Sequence, residues 1–590
     1  MPEEASEVLV IAIDYGTTFT GVAYGHRNGL RRPTHGDIQC IDDWPGTSRN
    51  SSSQKVPSEV AYSENRFDWG NKIQPRNRQR EAWTKLLLDE TQRENQLALM
   101  QELEMEQNGG NGGRSPCEVP KEPVDIVSDF LTGVRKHVET TLKIRYASML
   151  QSLCREVVIT VPAVWSDKAK NLTYKAVCNA GFNAENTKIS MITEPEAAAI
   201  YALRDLKDGP FTTIQPGDHF VVCDAGGGTV DIITYRVEST KDAFIIKEAV
   251  VGTGDKCGAI FIDREFKSWL QRKLGAEKFG MIRHEWLRPE SRMMRTFEEA
   301  KMSFEDDNIM AFVTMPPEIS REDDEALDIE DGEMRLDPED MREIFDPCVN
   351  RVLTLVDSQI DEISSQGATV KYILVVGGFG KSMYLLKRIR ERYSARNIEI
   401  VRPSNSWSAV VRGAVMEKLD PVGKSLVQLR LCRRHYGASL SQPFDESTHG
   451  GDPEANVLLD ERTGVRFVKG CMTWLLSKGD QLQSSKPKTT EIEIPQRLNE
   501  GPDKSFEIKI LAWNESDPPK REIKGLEQVC VLSINLTGLS PALLQTKDIA
   551  DKKSLSIVVC KFEIKIEGSM LEFRVLVGGQ EYCRALARDA

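Results

Sequence analysis

The rhythm of apolar and polar positions changes once along this chain, near residue 418. Between residues 8 and 418, short apolar runs rich in β-branched residues alternate with longer stretches of helical spacing. Val8-Leu9-Val10-Ile11-Ala12-Ile13, Phe220-Val221-Val222-Cys223 and Ile373-Leu374-Val375-Val376 are runs of the first kind. Each leads into a glycine turn, which predicts a buried strand. Ile126, Val127, Phe130, Leu131, Val134, Val138 and Leu142 fall on one helical face and predict an amphipathic helix from Pro123 onward. Asp337 before Pro338 predicts a helix start, the aspartate as N-cap and the proline at the first position. Strands alternating with helices in this way predict an α/β architecture.

After residue 418 the period becomes two. Residues 426–431, 506–510, 529–534 and 562–566 largely alternate apolar with polar side chains, separated by turn residues. They predict an antiparallel β-sandwich with solvent on its outer faces. The pattern lapses over about 90–122, where Asn108-Gly109-Gly110-Asn111-Gly112-Gly113 has the composition of a flexible loop. The acidic patch at 321–325 predicts a solvated turn at a hairpin tip. The expected organisation is one domain over 1–418, carrying a flexible insert at about 90–122, and a mostly β domain over 419–590.

Composition narrows the function classes. At 590 residues the chain is too long for one core, and 28% charged with 40% hydrophobic residues is an ordinary soluble composition. A formal net charge of −13 repels polyanions, so neither a nucleic acid nor an anionic membrane is an expected partner. Met1-Pro2-Glu3-Glu4 lacks the layout of a signal peptide, and no apolar stretch approaches the ~20 residues that span a bilayer. The 12 cysteines are scattered without a C-x-x-C pair. A reduced, cytoplasmic location is expected, with the nucleus also open.

The candidate chemistry sits at strand ends. Asp14-Tyr15-Gly16-Thr17-Thr18 and Asp224-Ala225-Gly226-Gly227-Gly228-Thr229 follow the first two runs. Glycine lets the backbone approach an anion with its N–H groups, and threonine adds a hydroxyl. An aspartate beside phosphates makes sense only with a hydrated divalent cation between them. Two such turns facing each other would clamp a nucleoside triphosphate and its Mg²⁺. The third run ends in Gly377-Gly378-Phe379-Gly380-Lys381-Ser382, which is not a P-loop, because Val375 stands where the first glycine would be needed.

Together with Val158-Ile159-Thr160-Val161-Pro162-Ala163, Ile192-Thr193-Glu194-Pro195-Glu196-Ala197-Ala198-Ala199-Ile200, Phe297-Glu298-Glu299-Ala300-Lys301 and Ala409-Val410-Val411-Arg412-Gly413-Ala414-Val415, these turns make residues 8–418 resemble the actin-like ATPase superfamily, and within it the 70-kDa heat-shock chaperones. The resemblance implies duplicated ribonuclease-H-like lobes: lobe I over about 1–212, lobe II over about 213–395, and a return to lobe I over about 396–418. It implies ATP or ADP with Mg²⁺ as cofactors. Asp14 and Asp224 would hold the metal through water. Gly16, Thr17, Thr18 and the amides of Gly226, Gly227 and Gly228 would take the phosphates. Glu194 and Asp231 would orient or deprotonate the attacking water, with Thr229 near the γ-phosphate. Glu298 and Lys301 would reach the ribose, and Gly377 and Gly378 would lie against the α-phosphate. Two residues keep a plainer alternative: Asp231 as a strand-end carboxylate, and Glu298 with Lys301 as an exposed i,i+3 ion pair.

The chain departs from the family pattern at several places. Gln74 stands where a lysine reaching the γ-phosphate is expected, with Lys72 near but out of register. Met302 replaces an arginine expected to stack on adenine, and Trp407 replaces an acidic residue. The C-terminal part lacks a helical lid and an acidic tail, and looks like a divergent branch common in fungi. The implied function is an ATP-binding, slowly hydrolysing chaperone-like protein with peptide or unfolded clients and co-chaperones. A nucleotide-gated binding module without turnover is the alternative, and a small-molecule kinase on the same fold a third reading.

Overall fold

The computed structural model describes residues 7–29, 34–47, 53–63, 66–74, 80–89, 121–208, 214–241, 244–289, 291–306, 309–420, 426–450, 456–461, 464–495, 505–549 and 553–587. The expected insert at 90–122 lies outside the described residues except for Lys121 and Glu122. The chain divides into two compact units. One comprises Met1–Trp165 and Leu172–Leu426, the other Ser166–Asn171 and Val427–Ala590.

The first unit holds two sheets built to one plan. In the first, β1 (Val8–Tyr15) pairs antiparallel with β2 (Phe19–Arg27), which also pairs with β3 (Ile38–Cys40) and β4 (Lys55–Pro57). On its other edge β1 runs parallel to β5 (Cys154–Val161), and β5 parallel to β6 (Thr187–Thr193). In the second sheet, β7 (His219–Ala225) pairs antiparallel with β8 (Val230–Ser239), which continues to β9 (Ile245–Glu248) and β10 (Thr253–Asp255). On its other edge β7 runs parallel to β11 (Val370–Val376), and β11 parallel to β12 (Glu399–Val401). Every residue of β1 is buried, as its unbroken apolar run requires of a central strand covered on both faces.

Helices cover these sheets. Pro123–Tyr146 buries the seven apolar residues that the sequence places on one face. Pro338–Ser365 starts as expected, Asp337 accepting from the N–H groups of Glu339 and Asp340. The helices Glu194–Asp208 and Ala409–Leu419 cross so closely that a Cβ on Gly413 would run into the carbonyl oxygen of Ala197. Only glycine permits that approach, which brings together two of the segments that carry the family resemblance.

The second unit is mostly strands, as expected. One antiparallel sheet orders Val457–Asp460, Val465–Leu476, His435–Pro443, Ser505–Trp513 and Glu527–Asn535. The other orders Lys488–Pro495, Lys553–Glu567, Met570–Val577 and Gln580–Leu586, with Leu544–Ile549 beside Lys553–Glu567. Ile508, Ile510, Cys530 and Leu532 of the first share a core with Cys560, Phe562, Ile564 and Phe573 of the second. Beyond residue 427 the longest described helix is the single turn Glu446–His449. No described helix is long and apolar enough to cross a membrane.

Candidate functional site

Three strands of the first unit end together. β1 delivers Asp14 and the turn of Gly16, Thr17 and Thr18, β7 delivers Asp224 and the turn of Gly226 to Thr229, and β11 delivers Gly377 and Gly378. The first two turns abut. A Cβ on Gly228 would stand 2.7 Å from the Thr17 hydroxyl, and one on Gly227 would collide with that of Thr18. The carbonyls of Gly228, Gly226 and Gly227 accept from the N–H groups of Gly258, Ala259 and Ile260, at 3.3, 3.2 and 2.9 Å. With its carbonyls so committed, the loop can offer an anion only N–H groups. Gly377 adopts φ 85°, and a Cβ there would lie 2.6 Å from Asp224 Oδ1, so the third strand end also needs glycine.

Beneath the turns lies a buried set of charges. Asp14, Glu194, Asp224 and Asp231 are 5, 8, 6 and 2% exposed, and two lysines face them. Lys85 donates to Glu194 Oε1 at 2.5 Å, and Lys55 to Asp14 Oδ2 at 2.7 Å. Thr160 on β5 donates to the other Asp14 oxygen at 3.1 Å. Asp231 stands opposite Asp224 in the β7–β8 ladder. The acids respond differently. Burial works to raise the Asp14 carboxyl, but the charges of Lys55 and Lys85 and the hydrogen bonds from Lys55 and Thr160 outweigh it and hold it low. Burial pushes Asp224 well above the carboxylate range, and the charges of Glu194, Asp231 and Asp14 push further. Burial likewise raises Glu194 to about 7, against the opposing charge of Lys85. So concentrated an excess of buried acid is costly for a merely structural feature and typical of sites that bind cations or move protons.

No group of three or more His, Cys, Asp or Glu among the described residues can hold a metal directly. The raised Asp224 carboxyl is the group whose charged form a hydrated cation here would favour. Glycine turns rich in N–H groups and a carboxylate floor that gains from a hydrated divalent ion fit a nucleoside phosphate with Mg²⁺.

The register position expected to carry a lysine is not where a cation meets the carboxylate set. Gln74 is exposed, and its carbonyl accepts from Arg80. Lys72 sits over the Trp69 ring at 5.7 Å. Lys85, on the short helix Thr84–Leu88, is the cation that meets Glu194. A lone cation within Trp83-Thr84-Lys85-Leu86-Leu87-Leu88 is the signal that sequence reading missed. It is held there by a hydrogen bond of 2.6 Å between Tyr15 and Thr84 and by the Trp165 ring, 5.5 Å from the ammonium.

Glu298 and Lys301 lie on the helix Arg292–Ser303. Lys301 pairs with Glu298 at 2.5 Å and with Asp263 at 2.6 Å. The i,i+3 pair exists, but it is not an exposed one on the lysine side: Lys301 is 8% exposed and Asp263 is a third member. Met302 is 65% exposed. Trp407 approaches the position of a Cβ on Gly378 to 3.8 Å and lies 5.6 Å from the Phe19 ring.

Comparison with known proteins finds matches over both parts of the chain. Residues 115–418, just over half of the chain, match the family described as Hsp70 protein, and residues 430–584 match one described as a domain of unknown function, DUF8568. Human heat shock 70 kDa protein 12B is 24% identical over 542 residues, covering 78% of this chain and 75% of its own. Human heat shock 70 kDa protein 12A is 22% identical, covering 78% and 76%. A chaperone protein HscA homolog of Chromobacterium violaceum is 24% identical over 299 residues, 50% of this chain and 41% of its own. These relatives are human and bacterial and give the fungal placement no support.

Proposed function

Because this chain belongs to the Hsp70 family, we propose that residues 1–418 form a nucleotide-binding domain that binds ATP or ADP with Mg²⁺ and hydrolyses ATP slowly. The observation that carries the reading is the pair of abutting turns, Thr17 and Thr18 against Gly227 and Gly228, set over four buried carboxylates and two lysines. Asp14 and Asp224 hold the metal through its water shell. The metal, when bound, supplies positive charge against the phosphates. Gly16, Thr17, Thr18 and the amides of Gly226, Gly227 and Gly228 bind the β- and γ-phosphates, with Thr229 beside them, and Gly377 and Gly378 lie along the α-phosphate. Glu298 and Lys301 serve the ribose.

Glu194 accepts the proton of the attacking water, with Asp231 orienting it. A carboxylate whose affinity for protons sits near neutrality is suited to that task, since it is ionised in part and still basic. Lys85 steadies the ionised Glu194 and brings positive charge toward the transferred phosphoryl group. Binding closes the two lobes across the helix crossing at Ala197 and Gly413, and the closure is relayed to the β unit of residues 419–590, which handles peptide or unfolded clients together with co-chaperones in the cytoplasm. ATP drives this only through different affinities for the open and closed states.

Isothermal titration with ATP and ADP, followed by single-turnover hydrolysis of labelled ATP, tests the reading. Binding with slow turnover supports it. Binding without turnover makes the protein a nucleotide-gated binding module, and absence of binding removes the nucleotide reading.

A further inference from the structure

Lys55 reaches the first carboxylate across a glycine. Asp14 on β1 pairs with Gly21 on β2, and Gly21 pairs with Lys55 on β4, so the three stand in one line across neighbouring strands. Gly21 has no side chain, and the lysine stem lies over it: a Cβ there would stand 3.2 Å from Lys55 Cγ and 3.3 Å from Cε. The ammonium ends 2.7 Å from Asp14 Oδ2, in a pair whose side chains are only 12% and 7% exposed. It also lies 5.5 Å from the Trp407 ring centre, and the same ring carries Lys381 at 4.1 Å. An ion pair on one side and an aromatic face on the other make a seat for a fixed ammonium.

We propose that Lys55 is a tethered cation of the nucleotide site, which lets the phosphate tail of a nucleoside di- or triphosphate bind without a divalent metal. The proposal rests on the nucleotide reading above and concerns that same site. A metal normally aids binding here by screening phosphates from the aspartates. Lys55 already neutralises Asp14 and keeps further N–H donors for a phosphate oxygen, since an ammonium carries three. Its charge also acts on Asp224, opposing the neighbouring acids. Trp407, where the family pattern has an acidic residue, lets two lysines gather beside Gly378 without a competing carboxylate. The metal is then left with turnover as its task, and it must share Asp14 with Lys55.

Titration of the full-length protein with ADP and with ATP, in EDTA and in Mg²⁺, tests this by calorimetry. The expected wild-type affinities agree within about threefold in the two conditions. Lys55→Gln is expected to lose about tenfold or more in EDTA and to recover most of it in Mg²⁺. It is also expected to bind Mn²⁺ more tightly than wild type in the presence of ADP, read by electron paramagnetic resonance. Gly21→Ala crowds the lysine stem without removing its charge and is expected to shift the EDTA affinity in the same direction by less. Wild-type binding that disappears in EDTA and returns with Mg²⁺ overturns the tethered cation and leaves the nucleotide reading standing. Absence of binding in both conditions overturns both, and needs no variant to be folded.

Discussion

Asp14 and Asp224 end equivalent strands of two sheets with the same order, each beside a glycine turn and each opposite its antiparallel neighbour, yet one carboxyl is held low and the other is driven high. Burial works to raise both, and the charges around them differ: Lys55 and Lys85 outweigh burial at Asp14, whereas Glu194 and then Asp231 add to it at Asp224. Opposite Asp14 stands Gly21, which admits Lys55 from the next strand. Opposite Asp224 stands Asp231, another acid. A duplicated topology thus places two acids alike, and the charges gathered around each decide its ionisation. In one half Lys55 pairs with the acid, while in the other Asp231 sets acid beside acid.

Removing the second lysine should give the largest effect. Lys85→Met is expected to lower kcat by about 10²–10³ with little change in KM, because its charge acts on the transition state. Asp14→Asn and Asp224→Asn are each expected to cost about 10² in turnover, or roughly 2.7 kcal/mol. Wild-type-like rates in both would break the idea that the two halves act as one clamp.

The same two variants should part company in stability. Asp14 is held low, so its ionised form favours the fold above its unfolded value of 3.8, and this contribution is lost as pH falls through the folded value. Asp14→Asn strands Lys55 and should cost roughly 3 kcal/mol at pH 7. Asp224 is raised, so its ionisation opposes the fold at neutral pH, and Asp224→Asn should raise the melting temperature there and change little near pH 3. Urea and thermal melts of nucleotide-free protein at both pH values read the two signs, and equal signs would sink the contrast.

A pH profile sharpens the role of the second acid pair. With Glu194 raised to about 7, turnover should fall about tenfold per pH unit below neutrality and level off above it, and Glu194→Gln should abolish that limb. The smallest effect belongs to Gln74→Lys. The exposed position of Gln74 predicts less than about a twofold change in kcat. A clear rise would show that this position, and not Lys85, faces the γ-phosphate.

Much of this site was legible in one dimension. The glycine turns after residues 8–13 and 220–223, the helix start at Asp337 and the alternating strands beyond residue 426 all follow from neighbours a few positions apart. Lys55 and Lys85 were not legible, because they lie 41 and 109 positions from the acids they meet. The family pattern expects a cation at Gln74, whereas the lysine that meets Glu194 stands on the short helix Thr84–Leu88. The ion pair of Glu298 and Lys301 was readable from helical spacing, but its burial and its third partner Asp263 were not.

Strand, turn and helix followed from the local order of residues, since backbone preference and amphipathic period are set within one or two turns of chain. The ionisation of the buried acids did not, and neither did the seat of Lys55 over Gly21 or the crossing at Gly413. A carboxyl's charge depends on burial and on whatever stands within a few ångströms, however distant in sequence, and only the register of β1, β2 and β4 brought that ammonium to Asp14.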